Sequence, residues 1–305
     1  MPELRRNHQR TKNPFTGLML RVFVMMGILG VMFVVLWRYL GTSQPESKVV
    51  DVSTVSVSGM NYDDSSETLL VVGRPVEVVE HDYYTLGYVE KYEQAAWVSY
   101  SLTKESLRIP NVERADRFEE DPQVSTGSAD YYDYRGSGYS RGHMAPAGDM
   151  AFSKEAMKQS FYMSNMSPQK IPFNGGIWRE LEETVRDWAY KYGEVQVVTG
   201  PVLDGIDEFI GDAEVGVPSY FYKVIYRDNP SPESIGLLIA NEVSKRPIMD
   251  YAVTVDDVEQ RTGLDFYRGL LDETTELKVE ESIDINLWPV SMKRYQNRIN
   301  HWNNR

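Results

Sequence analysis

One helix constrains most of what this chain can fold into. In I-W-R-E-L-E-E-T-V-R-D-W-A-Y-K-Y-G, Trp178, Leu181, Val185, Trp188 and Tyr192 recur at spacings of three and four, and Gly193 supplies a stop. A stripe that bulky must be laid against a sheet or another helix. Strand-like runs flank it on both sides: L-L-V-V (69–72), A-W-V-S-Y-S-L (96–102), V-Q-V-V-T-G (195–200), S-Y-F-Y-K-V-I-Y (219–226) and I-G-L-L-I-A (235–240). Shorter helices are predicted at 151–160, where Ser153 caps K-E-A-M-K-Q, and at 255–261. Strands and helices do not alternate regularly, and no Gly-rich phosphate loop joins a strand to a helix, which argues against a doubly wound sheet. The predicted class is α+β, with a mostly antiparallel central sheet flanked by helices.

Upstream the chain changes character. Residues 22–37 read V-F-V-M-M-G-I-L-G-V-M-F-V-V-L-W, and the apolar stretch extends over 18–40, long enough to span a bilayer. Arg21 and Arg38 stand near its ends, where their stems can snorkel, and Trp37 and Tyr39 suit the interface. Arg5, Arg6, Arg10 and Lys12 precede it, so the positive-inside rule orients the N-terminus toward the cytoplasm. No small-residue cleavage pattern follows, which favours an uncleaved anchor over a signal peptide. The expected order is a basic cytoplasmic tail (1–17), a transmembrane anchor (18–40), a polar linker (41–68), a folded domain (69–294) and a polar C-terminal tail (295–305). The folded domain is then a single-pass, membrane-anchored, extracytoplasmic unit, periplasmic or extracellular.

Charge separates these parts further. Residues 41–305 carry 26 basic and 44 acidic groups, a net of −18 that opposes a polyanionic partner unless a local groove overrides it. The absence of cysteine excludes a disulfide scaffold and thiolate zinc.

There are four histidines. His8 precedes the apolar stretch, His301 lies in the C-terminal tail, and His81, in E-H-D-Y-Y, is expected at an ordinary loop position. His143 is different. It lies in Y-R-G-S-G-Y-S-R-G-H-M-A-P-A-G-D-M, where Gly136, Gly138, Gly142 and Pro146 call for sharp turns and close backbone approach. A histidine can take a proton from water near neutral pH, and the nearby Arg141 can hold an anion.

The stretch S-R-G-H-M-A-P-A-G-D-M resembles the signature of the DNA/RNA non-specific endonucleases, the ββα-metal or His-Me finger nucleases. The similarity continues in F-Y-M-S-N-M-S-P-Q (161–169), F-N-G-G-I-W-R-E-L-E (173–182), V-V-T-G-P-V (197–202) and V-P-S-Y-F-Y-K-V-I (217–225), and spans about residues 70–294. The resemblance implies the ββα-metal fold and metal-dependent hydrolysis of DNA and RNA with little sequence preference, leaving 5′-phosphate ends. It makes His143 the general base and Asn174 the protein ligand of a divalent ion, normally Mg²⁺, with Mn²⁺ or another divalent ion as alternatives. Glu182, eight residues beyond Asn174, becomes the helix acid that orients the ion's water, and Asn165 a further active-site asparagine. An upstream arginine that binds phosphate is implied; Arg114 and Arg117 both qualify, with Arg141 a further cation. Lys170 and Arg179 could add to a local cationic groove. One departure stands out: Ser140 occupies a place where the family usually has aspartate. That departure and the acidic balance leave two alternatives, a catalytically impaired envelope protein that keeps the nuclease fold for binding, and a small-molecule phosphodiesterase. A homodimer is compatible with the sequence, and no inhibitor partner is indicated.

Overall fold

The apolar runs pair with one another. The computed structural model describes residues 71–304. Its strands are β1 (Val71–Val72), β2 (Glu77–Glu80), β3 (Thr85–Val89), β4 (Gln94–Thr103), β5 (Tyr139–His143), β6 (Met166–Lys170), β7 (Glu194–Pro201), β8 (Phe209–Ile210), β9 (Val215–Gly216), β10 (Tyr220–Arg227), β11 (Glu233–Ala240), β12 (Ala252–Val253) and β13 (Asp265–Phe266). The helices that matter below are α1 (Lys154–Gln159), α2 (Arg179–Tyr192), α3 (Val255–Thr262), α4 (Glu273–Glu281) and α5 (Met292–Asn300). Seven strands form one sheet in the order β12-β11-β10-β7-β4-β3-β2, and every pairing in it is antiparallel. The α+β class with an antiparallel central sheet is therefore observed.

Period-two alternation divides the core between the two faces of this sheet. On one face Val197, Phe221, Ile225 and Leu237 pack with Trp178, Leu181, Val185 and Trp188, the apolar stripe of the long helix. On the other, Val198, Tyr222 and Val224 pack with Val255 and Val258 of α3. The four stripe residues are wholly buried, and burying a large apolar side chain contributes about 1.5–3 kcal/mol each. The sheet thus stands between α2 and α3.

The runs at 96–102, 195–200, 219–226 and 235–240 became β4, β7, β10 and β11, and Val71–Val72 of the first run became β1. The hydroxyl of Ser153 accepts from the amides of Glu155 and Ala156 and starts α1, while Thr254 and Asp257 close a reciprocal cap on α3. The polar tail expected at 295–305 is a correction. Helix α5 runs into it, Arg298 is fully buried, and Trp302 is 7% exposed. A buried ion pair from Arg298 to Glu180 at the start of α2 fastens it, so polarity along the tail did not mean solvation. The basic tail, the apolar anchor and the linker, expected within 1–68, lie outside the described residues; among the described residues no helix is long and apolar enough to cross a membrane.

Apart from the main sheet, β5 and β6 pair as a two-stranded antiparallel ribbon, with His143 opposite Met166 and Arg141 opposite Pro168. Helix α2 follows β6 after a short connection. These two strands and this helix carry the site.

Candidate active site

The ribbon depends on its glycines. Gly136 and Gly138 take φ of +77° and +87° and turn the chain into β5. At Gly142 a Cβ would lie 2.1 Å from the side chain of Gln169, so only glycine lets β5 approach β6 there. Immediately after His143, Asn165 clamps the backbone. Its Oδ1 accepts from the Ala145 N–H at 2.8 Å, its Nδ2 donates to the carbonyls of Ala145 and Ser160 at 3.0 and 2.8 Å, and its own carbonyl accepts from Met144 N–H. Asn165 is fully buried and does not line the cavity. The asparagine expected among the reacting groups is placed as a support for the loop that carries His143.

Beyond β6, one helical turn (Ile171–Phe173) opens into a wide turn over Asn174–Trp178, in which Gly176 leaves helical geometry at φ −105°, ψ −106°. Asn174 sits at the start of that turn. Its carboxamide is oriented by Ser140: the Ser140 hydroxyl donates to the Gln169 carbonyl at 2.9 Å and, its one proton spent, accepts from Asn174 Nδ2 at 2.9 Å. The amide oxygen of Asn174 is the end left for a cation. Where the family usually has aspartate, a serine here performs an orienting task with neutral hydrogen bonds.

His143 is 9% exposed, and its Nε2 is buried with no hydrogen-bond partner. Phe161 meets the ring edge-on at 4.8 Å. Burial, then the charges of Arg114 and Arg141, pull its pKa down to about 3, so the ring is neutral and retains one nitrogen that can accept a proton. The Arg141 guanidinium lies over both Phe118 and Tyr131, 4.5 and 4.3 Å from the ring centres, and Arg114 lies 4.9 Å over Phe161. Aromatic faces hold Arg141 without neutralising it, while Arg114 also pairs with Asp116 at 2.6 Å.

Glu182 is half-buried beside the apolar stripe of α2, and burial pushes its pKa up against the opposing pull of Lys223 and Arg186. Lys223 is fully buried beneath the site, its Nζ 3.1 Å from Thr199 Oγ1 and 4.7 Å from the centre of the Trp178 ring. Burial lowers its pKa, with Glu182 and Asp149 opposing. Arg186 pairs with buried Asp149 at 2.7 Å, and Tyr100 donates to the same carboxylate at 2.8 Å. Sequence reasoning missed Lys223, Asp149, Tyr100 and Arg186. Lys223 did carry a signal: it sits between Phe221 and Ile225 on the core-facing side of a strand.

These elements meet around one cavity of about 500 Å³, whose lining includes Arg114, Arg141, His143, Asn174, Arg179 and Glu182. Ser140, Glu183 and Arg186 also reach it. Arg114, Arg179 and Arg186 are ion-paired with Asp116, Glu183 and Asp149, whereas Arg141 has no acidic partner among the described residues and leaves a positive charge at the mouth. Of the two upstream arginines, Arg114 lines the cavity; Arg117 is 83% exposed at its side chain, pairs with Glu119 at 2.8 Å and stands outside it. Lys170 lies in a separate groove with Tyr139. His81 is neither on the surface nor in the cavity: buried, it shares one carboxylate oxygen of Asp121 with Ser164. Burial pushes Asp121 up, but those two hydrogen bonds and the Gln123 amide outweigh it and hold its pKa down. This network fastens the end of β2 to the distant loop at Asp121 and to the turn at Ser164 that leads into β6.

Residues 65–273 match the family described as DNA/RNA non-specific endonuclease. The chain belongs to that family. Nuclease C1 of Cunninghamella echinulata var. echinulata is 36% identical over 226 residues, which cover 68% of this chain and 90% of the relative. The human mitochondrial nuclease EXOG is 34% identical over 253 residues, 75% of this chain and 68% of that protein. Among solved structures, the crystal structure of the EndoG/EndoGI complex superposes with a TM-score of 0.59 at 33% identity, covering 64% of this chain and 87% of that one. Membership of the family makes the chain a hydrolase of the nuclease class, and nucleic acid its substrate class. The matched segment ends at residue 273, the first residue of α4, and does not reach α5.

Proposed function

We propose that this family member is a divalent-cation-dependent endonuclease that hydrolyses phosphodiester bonds in both DNA and RNA. The observation that carries the reading is the convergence of a neutral, unpartnered His143, the oriented amide of Asn174 and the acid Glu182 on one arginine-lined cavity. Asn174 and Glu182 offer only oxygen, the donor chemistry of Mg²⁺ or Mn²⁺, so the residues fit such an ion. Asn174 would hold it and Glu182 would orient its waters; the bound ion neutralises charge on the phosphate. The protein's own groups do the rest. Arg114 and Arg141 seat the phosphate, and the neutral imidazole of His143 takes a proton from the attacking water. Burial is the larger cause of the depression of His143; a phosphate on these arginines offsets their smaller share and raises the basicity of the ring when substrate is present.

The test is cleavage of supercoiled plasmid and of RNA with Mg²⁺ or chelator, alongside His143→Ala and Asn174→Ala. Metal-dependent cleavage lost in both variants is expected. Undiminished cleavage by folded His143→Ala protein would overturn the assignment of the base. The apolar stretch at 18–40 supports a second part of the proposal, that the nuclease is anchored in a membrane with its catalytic domain outside the cytoplasm. Alkaline extraction and protease protection of the full-length protein test it; a freely soluble chain contradicts it.

A further inference from the structure

Across the sheet from the cavity, α3 and α4 bring three carboxylates together. Asp257 is engaged in the cap of α3, accepting from the Thr254 amide, which leaves Asp256 and Glu259 as neighbours one turn apart on the same helix. Glu280 reaches them from α4. One oxygen from each of Asp256, Glu259 and Glu280 lies within 4.8 Å of the others. Asp256 is exposed and Glu259 half-buried, with Oε1 of Glu259 accepting from the Phe266 amide at 2.9 Å. Glu280 is the anomaly: the residue is 6% exposed, and its Oε1 is buried with no hydrogen-bond partner. A carboxylate withdrawn from water without a donor or a cation is strongly disfavoured. Apart from burial itself, the strongest influences on Glu280 are four acids, Glu259, Glu276, Asp256 and Asp265.

We propose that Asp256, Glu259 and Glu280 form a calcium site that ties α4 to α3, separate from the catalytic cavity. All three donors are hard oxygens, with no nitrogen or sulfur that would select a transition metal. The donor set suits calcium. Ca²⁺ takes about six to eight oxygens in a flexible shell and is readily held by several carboxylates, whereas Mg²⁺ keeps several of its waters and is bound through only about one or two carboxylates. Exposed Asp256 leaves one side accessible to the ion and its waters. The cation would supply what Glu280 lacks and would fasten α4, which lies beyond the segment matched to the family in all but its first residue.

The experiment is thermal unfolding of the full-length protein in EDTA, in millimolar CaCl₂ and in millimolar MgCl₂. Calcium is expected to raise Tm by about 3 °C or more above the magnesium value. The rise should persist in Asn174→Ala, which disables the catalytic ligand. Glu280→Gln should unfold at a higher temperature than the unsubstituted protein in EDTA, because it removes an ionisable carboxyl buried among other acids, yet gain nothing from calcium. Asp256→Asn, an exposed change that leaves folding intact, should need at least tenfold more calcium for the same rise. Absence of a calcium-dependent rise in the unsubstituted protein, or an equal rise in Glu280→Gln or in Asp256→Asn, overturns the proposal.

Discussion

Arg298→Met tests whether the C-terminal segment belongs to the domain that carries the site. Arg298 is fully buried; its Nε donates to Glu180, itself 2% exposed, and its two terminal nitrogens donate to the carbonyls of Ser244 and Arg246. Removing the guanidinium strands a buried carboxylate at the start of α2, and breaking a buried pair from one side costs about 3–5 kcal/mol. For a domain of this size that lowers Tm by about 6–20 °C. Burial already pushes the pKa of Glu180 up, with Arg298 opposing, so the variant raises it further. A raised carboxyl contributes stability below its unfolded pKa and loses it as pH rises; the deficit of Arg298→Met should therefore be small near pH 5 and full at pH 8. Glu180→Leu combined with Arg298→Met should be more stable than Arg298→Met alone at pH 8, because no lone charge remains. Circular dichroism melts at both pH values read all of this. A cost below about 1 kcal/mol, or a double variant that simply adds two losses, refutes the reasoning.

The remaining predictions concern the cavity. With the pKa of His143 held at about 3 against an ordinary 6.5, the fold keeps this stability above pH 6.5 and loses it as pH falls toward 3; at pH 5 the cost is about 2 kcal/mol. His143→Asn should accordingly resist acid unfolding better than the unsubstituted protein at pH 5 and match it at pH 8. In cleavage assays Arg114→Ala should lose at least tenfold in kcat/KM while Arg117→Ala stays within twofold, and equal losses would remove Arg114 from the phosphate site. Ser140→Ala releases the Asn174 amide and should lower the apparent affinity for Mg²⁺ in activity titrations about 10–100-fold; an unchanged titration would show that Ser140 does not orient that side chain.

Legibility in the sequence followed the chemistry of each element. Strands β4, β7, β10 and β11 were readable because they lie in the core and are rich in β-branched and aromatic residues. Helix α2 was readable from its stripe of Trp178, Leu181, Val185 and Trp188. Strands β5 and β6, Y-S-R-G-H and M-S-P-Q-K, carry no apolar alternation, and their pairing rests on long-range backbone bonds that local pattern cannot show. The resemblance located His143, Asn174 and Glu182, but only the fold separated Arg114 from Arg117, three residues apart, and moved Asn165 from the cavity into its support. Lys223 and Asp149 were hidden because their partners, Glu182 and Arg186, come from a different element. The C-terminal stretch misled because M-K-R-Y-Q-N-R-I-N is polar nearly throughout, while its anchoring depends on one arginine reaching a distant glutamate.

The central sheet also partitions charge. Arginines gather at the mouth on the α2 side, while Asp256, Glu259, Glu273, Glu276, Glu280 and Glu281 populate the two helices at the opposite end of the chain's packing. A polyanion approaching the acidic helices is turned away, and one approaching the mouth is drawn in, so encounters are sorted by orientation before contact. The large negative balance is then less an obstacle to a nucleic-acid substrate than a means of denying it unproductive places to rest.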